Sequence, residues 1–175
     1  EDRVNLSMSV SGFSAFHPQW LHYKLTSNQE YRMRFADRVL MHMTGNGALT
    51  PDRSLERFNK RAAEIETAII AESARWGDAK SAVPYTKDDS WLPEINTVRN
   101  EFFPYRTAIV LSQLKRANLY PALKAPVVSQ SGSELKDPYY DIGNSASITL
   151  QNPNPAGTVY YTTNGSDPRL VGGGI

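Results

Sequence analysis

The side chains best suited to metal ligation or proton transfer are three histidines, His17, His22 and His42. They are scattered among apolar residues and lack the i, i+4 imidazole pair with its glutamate that a zinc protease helix presents, so a structural role is expected for each. Glu30, Arg34, Asp37 and Arg38 resemble a catalytic cluster, yet their spacing is that of i, i+3 and i, i+4 ion pairs on one helix face. Glu64 and Glu66, two apart on a helix, point in different directions and do not make the facing carboxylates of a glycosidase. Gly172 to Gly174 follows no strand-to-helix signal and is read as a flexible end, not as a phosphate loop. Asn164, Ser166 and Asp167 carry oxygens that calcium would accept, but a turn that bonds its own backbone uses the same residue types, and the turn is the expectation. Asn5-Leu6-Ser7 and Asn164-Gly165-Ser166 match a glycosylation pattern that chance produces often. Catalytic, cofactor-binding and metal-binding residues are accordingly read as none, and residue types and spacings alone disclose no catalytic centre.

Behind these residues stands one long amphipathic stretch, Thr50 to Gly77. Leu55, Phe58, Ala62, Ile65, Ile69 and Trp76 form its apolar stripe, while Arg53, Arg57, Lys60, Arg61, Glu64, Glu66 and Arg75 fill the other side. Thr50 is a good N-cap, Pro51 suits the first helical position, Asp52 complements the helix dipole and Gly77 is the natural stop. Upstream, residues 1–16 read as an irregular lead-in. His17-Pro18 opens a short helix whose apolar contacts are Trp20, Leu21 and Tyr23 to Leu25. Ser27 or Asn28 caps a further helix with Tyr31, Phe35, Val39 and Met43 at four-residue steps, ended by Gly45.

Downstream, Thr86 to Ser90 offers caps before Trp91, Leu92, Ile95, Val98 and Phe102, with Pro93 tolerable only in the first turn. Pro104 breaks or kinks the pattern, Ile109, Val110, Leu111 and Leu114 continue it to about Leu119, and Pro121 closes it. One kinked helix or two nearly collinear ones are expected. After Lys124 the chain becomes rich in Ser, Asn, Gly and Pro, with β-type runs at Val127 to Val128, Ala146 to Leu150 and Thr158 to Thr162. The runs Ser145 to Leu150 and Thr158 to Thr163 are expected to pair antiparallel across the Asn-Pro-Asn-Pro-Ala loop. The fold class is therefore α+β in separate segments: an all-helical, bundle-like subdomain at 17–122, then an incomplete antiparallel β-sandwich at 125–175.

Charge and composition narrow the partners. The 175 residues hold 19 basic and 18 acidic side chains, interspersed, which gives no electrostatic footprint for nucleic acid or an anionic membrane surface. No apolar run approaches the ~20 residues of a membrane span. Without cysteine there are no disulfides, thiolate metal sites or cysteine nucleophiles. Glu1 at one end and Gly-Gly-Gly-Ile at the other look like cuts in a longer protein, and no signal peptide is visible.

Two stretches carry a resemblance. Asn28-Gln-Glu-Tyr-Arg-Met-Arg-Phe-Ala-Asp-Arg-Val39, Gly47-Ala-Leu-Thr50 and Ile70-Ala-Glu-Ser-Ala-Arg-Trp-Gly-Asp78, with Pro84-Tyr-Thr-Lys-Asp-Asp89 and Phe103-Pro-Tyr-Arg-Thr-Ala-Ile-Val-Leu-Ser-Gln-Leu114, resemble the C-terminal helical part of the spore-coat protein H (CotH) kinase-like family over about residues 17–121. Gly157-Thr-Val-Tyr-Tyr-Thr-Thr-Asn-Gly-Ser-Asp-Pro168 is similar to the signature of the chitobiase/β-hexosaminidase C-terminal-like domain, a β-sandwich of immunoglobulin or fibronectin character. The resemblance implies a piece of a large exported bacterial protein, extracellular or at the cell surface. Its ATP and magnesium ligands would lie upstream, with Glu1 as the last residue of an acidic motif. Phosphoryl transfer needs a phosphate cradle, a metal-binding aspartate and a positioned base, and this chain supplies no recognisable set. The implied role is non-catalytic: helical support for an upstream kinase-like core of the same protein, with a β-sandwich spacer and self-association through open β-edges. The alternative is a cell-surface carbohydrate- or protein-binding module using Tyr139 and Tyr140.

Overall fold

The computed structural model describes residues 2, 4, 18–79, 81–137, 139–143 and 145–175. Helices occupy the first two thirds and strands follow, so the chain is mixed α+β with the two kinds of element in separate segments. By contact density it divides into one unit made of residues 1–47 with 110–175, and another of residues 48–109. The cut does not fall at the compositional change near Lys124. Residues 125–175 belong to the same unit as the first two helices.

In the first unit, α1 spans Pro18–Leu25 and α2 spans Gln29–Met43. Asn28 caps α2 through its side chain, which accepts the Tyr31 N–H at 3.0 Å, the bond that satisfies one orphan donor of a helix start. Val39 from the expected four-residue series is buried with Leu114 and Leu119, and Phe35, Met43, Val110, Leu111 and Tyr120 pack against that cluster. The short helix α1 departs from expectation, since Leu21, Tyr23 and Leu25 are exposed. Eight residues with no buried member cannot hold an apolar stripe against a core.

The β-segment of this unit is a three-stranded antiparallel sheet in the order β2-β1-β3, with β1 at Val127–Gln130, β2 at Ser133–Glu134 and β3 at Ile148–Gln151. The β1–β2 hairpin turns on Ser131 and Gly132, both at positive φ (50° and 81°), as a two-residue turn matched to strand twist requires. The expected pairing of Ser145–Leu150 with Thr158–Thr163 is corrected. β3 pairs with β1, Val128 facing Leu150 and Gln130 facing Ile148, and residues 157–163 lie outside any strand. The asparagines of the connecting loop explain the change. Asn152 Nδ2 donates to the Ala156 and Gly157 carbonyls, while Asn154 accepts the Lys124 N–H at 3.0 Å and donates to its carbonyl at 2.9 Å. The loop is thereby fastened to the start of β1, so β3 lies beside β1 and the chain beyond the loop is not returned against β3.

The second unit is built on α3, Pro51–Trp76, with Thr50 at the N-cap position and Pro51 in the first turn. The stripe is only partly core. Ala62 is buried at 4% exposure, Leu55, Phe58 and Ile69 are half-buried, but Ile65 is 41% exposed and Trp76 54%. A continuous helical run follows: a π-turn at Lys87–Trp91, α4 at Leu92–Thr97, a second π-turn at Val98–Phe102, and α5 at Phe103–Arg116. Each π-turn sits just upstream of a proline. Leu92 N–H reaches back to the Lys87 carbonyl before Pro93, and Phe103 N–H to the Val98 carbonyl before Pro104. A proline donates no N–H and crowds the carbonyl four residues earlier, and a wider turn relieves both. Pro93 lies in the first turn of α4, as the sequence required of it, and Pro104 lies in the first turn of α5, where the wider turn carries the run past it. Across this unit Phe58 packs on Phe103 with ring centroids 5.0 Å apart, and Arg99 Nε donates to Asn59 Oδ1 at 2.7 Å.

Candidate functional site

A groove of about 630 Å³ lies in the second unit, where the last turns of α3 meet the loop and π-turn that follow. α3 contributes Ile69, Glu72, Ser73 and Trp76 to its wall; the returning chain contributes Tyr85, Thr86, Asp89, Ser90, Trp91 and Glu94. Gly77 makes the closure possible. Its carbonyl accepts the Tyr85 N–H at 2.9 Å, and a Cβ on it would stand 2.5 Å from both the Ser73 and Tyr85 carbonyl oxygens. Gly77 is right-handed, with φ −58° and ψ −34°. A glycine is needed here because the backbone of residue 85 fills the space a Cβ would take, and left-handed freedom plays no part.

The opposite wall is held by Thr86. Its hydroxyl accepts the Asp89 N–H at 2.9 Å and donates to Asp89 Oδ2 at 3.1 Å, while its own N–H donates to Ser90 Oγ. Lys87 Nζ bonds Glu66 Oε1 of α3 at 3.1 Å, and that bond holds the ammonium above its usual pKa. The Arg75 guanidinium lies over the Trp76 ring, 5.0 Å from its centroid. The groove is lined by indole and phenol rings, hydroxyls and carboxylates, with no histidine, lysine or arginine lining it among the described residues. It offers stacking and hydrogen bonding, but no base beside a nucleophile.

The residues singled out from sequence do not converge. His22 Nδ1 bonds the Tyr31 hydroxyl at 2.7 Å, and its ring packs beside Phe35; His42 is exposed in the last turn of α2. His17, Glu1 and Asn5 to Ser7 lie outside the described residues. Glu30 pairs with Arg34 as expected, at 2.7 Å. Asp37 does not pair along its helix: Arg169 clasps it with two bonds, of 3.1 and 2.7 Å. Arg169 also bonds Asp167, holding that carboxyl down at about 2, and the Gly172 N–H, followed by Arg34, lowers the pKa of Glu30. Glu64 pairs with Arg61 and Glu66 with Lys87. Asn164 Oδ1 accepts the Ser166 N–H at 3.0 Å, the self-bonded turn expected there. Tyr139 is 80% exposed, whereas the Tyr140 hydroxyl accepts the Lys136 and Asp137 N–H groups. Among the described residues no group of three or more His, Asp and Glu is placed to hold a metal ion, and no helix is long and apolar enough to cross a membrane.

Sequence reasoning missed the groove because it assigned Trp76 and Trp91 to separate apolar stripes. Their convergence depends on the return at Gly77 to Tyr85, which no periodicity reveals. Comparison with family models, with curated proteins and with solved structures finds no match.

Proposed function

We propose that this chain is a non-catalytic supporting part of a larger exported bacterial protein of the CotH-like kinase class, extracellular or at the cell surface. In this reading a bundle-like helical subdomain buttresses an upstream kinase-like core, which carries the ATP and magnesium chemistry, and residues 125–175 begin a β-sandwich spacer. The observation that carries it is the half-open stripe of α3. Ile65 and Trp76, written into the apolar face, stand exposed, and a stripe of this kind is stabilised when another surface covers it. The sheet supports the spacer reading in the same way. A complete sandwich takes about seven strands, and here β2 and β3 are edges that a further strand can extend.

The test is to produce the polypeptide encoded immediately upstream and mix it with this chain. An equimolar complex in sedimentation, with slowed amide exchange along α3, is the expected outcome. An upstream sequence without an ATP-site motif that also forms no complex would sink the proposal. A second reading, a cell-surface module that binds carbohydrate or protein, is favoured by Tyr139, whose ring is exposed and ready to stack.

A further inference from the structure

We infer that two copies of this chain exchange residues 167–174, the strap of each docking on the α2 face of the other while the segments that tether the straps pair as antiparallel strands. The inference does not rest on the supporting role proposed above. It starts from a three-point contact that the chain makes with itself. Glu30, Met33 and Asp37 are spaced three and four apart and so share one face of α2. Arg169 gives Asp37 two bonds, of 3.1 and 2.7 Å, and the Gly172 N–H donates to Glu30 Oε2 at 3.1 Å. Gly173 lies flush on Met33, where a Cβ would stand 2.8 Å from Sδ. The strap also holds its own shape. Asp167 accepts the Arg169 N–H at 2.9 Å and the Nε–H at 3.0 Å, which aims the guanidinium, and the Leu170 N–H reaches the Gly174 carbonyl at 2.7 Å.

The same contact opens readily. Leu170 and Val171, the apolar side chains of the strap, are 65% and 88% exposed, so it is held chiefly by ion pairs and one amide. Asp37 and Asp167 stay half open to water, where such pairs are weak. The tether selects what closes the contact again. Thr158-Val-Tyr-Tyr-Thr162 has the β-branched and aromatic residues of a strand, yet it lies in no strand and makes no backbone hydrogen bond to another described residue. Tyr160 and Tyr161 are exposed on it. Exchange supplies the missing partner, because two tethers that cross between copies about a twofold axis run antiparallel. Centred on Tyr160, the run sets Thr158 opposite Thr162 and Val159 opposite Tyr161. A charge at the axis would face its own copy at a cost, and residues 156–166 carry none. The run is thus complementary to itself, and the α2 face fits the strap, which together point to a second copy of this chain. Exchange repeats the strap contacts and adds the strand pair. The tether's effective concentration keeps a dilute chain closed on itself, and the dimer grows with concentration.

Asp37→Arg and Arg169→Glu, made separately in the whole chain, each set like charges together and break the contact within one copy. Mixed in equal amounts they restore it only between copies: the unaltered Arg169 of one meets the unaltered Asp37 of the other, and the two substituted positions meet as opposite charges. Sedimentation velocity should show the unaltered chain pairing as its concentration rises, each variant alone monomeric, and the mixture dimeric. With the Arg169→Glu copy isotope-labelled, adding the unlabelled Asp37→Arg copy should shift the amides of Glu30 and Asp37 and raise exchange protection at residues 158–162. Amides of Val39 and Leu114 should stay protected in both variants, as a folded unit requires. Tyr160→Lys, at an exposed site off the strap, should abolish the dimer and leave the Gly172 amide protected in the monomer. A mixture that stays monomeric, a dimer that survives in each variant alone, shifts that avoid α2, or a dimer untouched by Tyr160→Lys would each overturn the inference.

Discussion

Replacing Leu114 by alanine tests whether the small cluster in the first unit is a closed core. Leu114 is 5% exposed and sits with Val39 and Leu119 under Phe35, Val110 and Leu111. The truncation deletes three carbons, about 2.4 kcal/mol at about 0.8 kcal/mol per buried group. A residual cavity adds to this, because neighbours held by two helices relax only in part, and the total comes to about 3–4 kcal/mol, inside the usual span for Leu→Ala. Ile65→Ala in α3 is the comparison. At 41% exposure the same loss scales to about 1.4 kcal/mol, and the compactness of the unfolded chain trims it to about 1 kcal/mol; water fills the gap, so no cavity term is added. Native-state hydrogen exchange reads each unit separately, at amides of α2 and α5 for Leu114 and of α3 for Ile65. A loss below about 1 kcal/mol for Leu114→Ala would show that this cluster is not closed. A loss above about 2 kcal/mol for Ile65→Ala, the range of buried truncations, would refute the open stripe.

Gly77→Ala should destabilise the second unit by about 1–3 kcal/mol, the cost of forcing an atom into a filled space, because its Cβ meets two backbone oxygens; an unchanged melting curve would show that the loop simply moves aside. Acid should release the segment around Arg169 from α2. Asp167 and Glu30 have folded pKa values below their ordinary ones, so their stabilisation is complete above the ordinary carboxylate range. For Asp167 it is lost as pH falls from about 4 to about 2; the Gly172 amide, bonded to Glu30 at 3.1 Å, should keep its exchange protection at neutral pH and lose it only in acid below the ordinary glutamate range. Deleting residues 125–175 should strip protection from α2, which loses the Asn46–Lys136 and Asp37–Arg169 bonds, while residues 48–109 keep theirs. Full protection of α2 after the deletion would place a domain boundary near Lys124 after all.

Local signals decided much of this protein from sequence alone. The Asn28 cap, the four-residue series through Val39, Pro51 at the start of α3 and the self-bonded turn at Asn164 to Ser166 each depend on neighbours a few residues away, and short-range geometry is what residue type encodes. The Ser131-Gly132 hairpin is a signal of the same local kind, since two such residues readily adopt the positive φ that a tight turn needs. Other outcomes belonged to the tertiary structure. Periodicity says which face of α3 is apolar but not whether anything covers it, so Ile65 and Trp76 remain exposed while Ala62 is buried. Strand pairing turned on Asn154 reaching Lys124, thirty residues away, and Asp37 found Arg169 across 132 residues. The groove arose where the Gly77–Tyr85 contact brings two tryptophans of different helices together. Partners this distant compete with every other segment of the chain, and only the packed structure determines which of them meet.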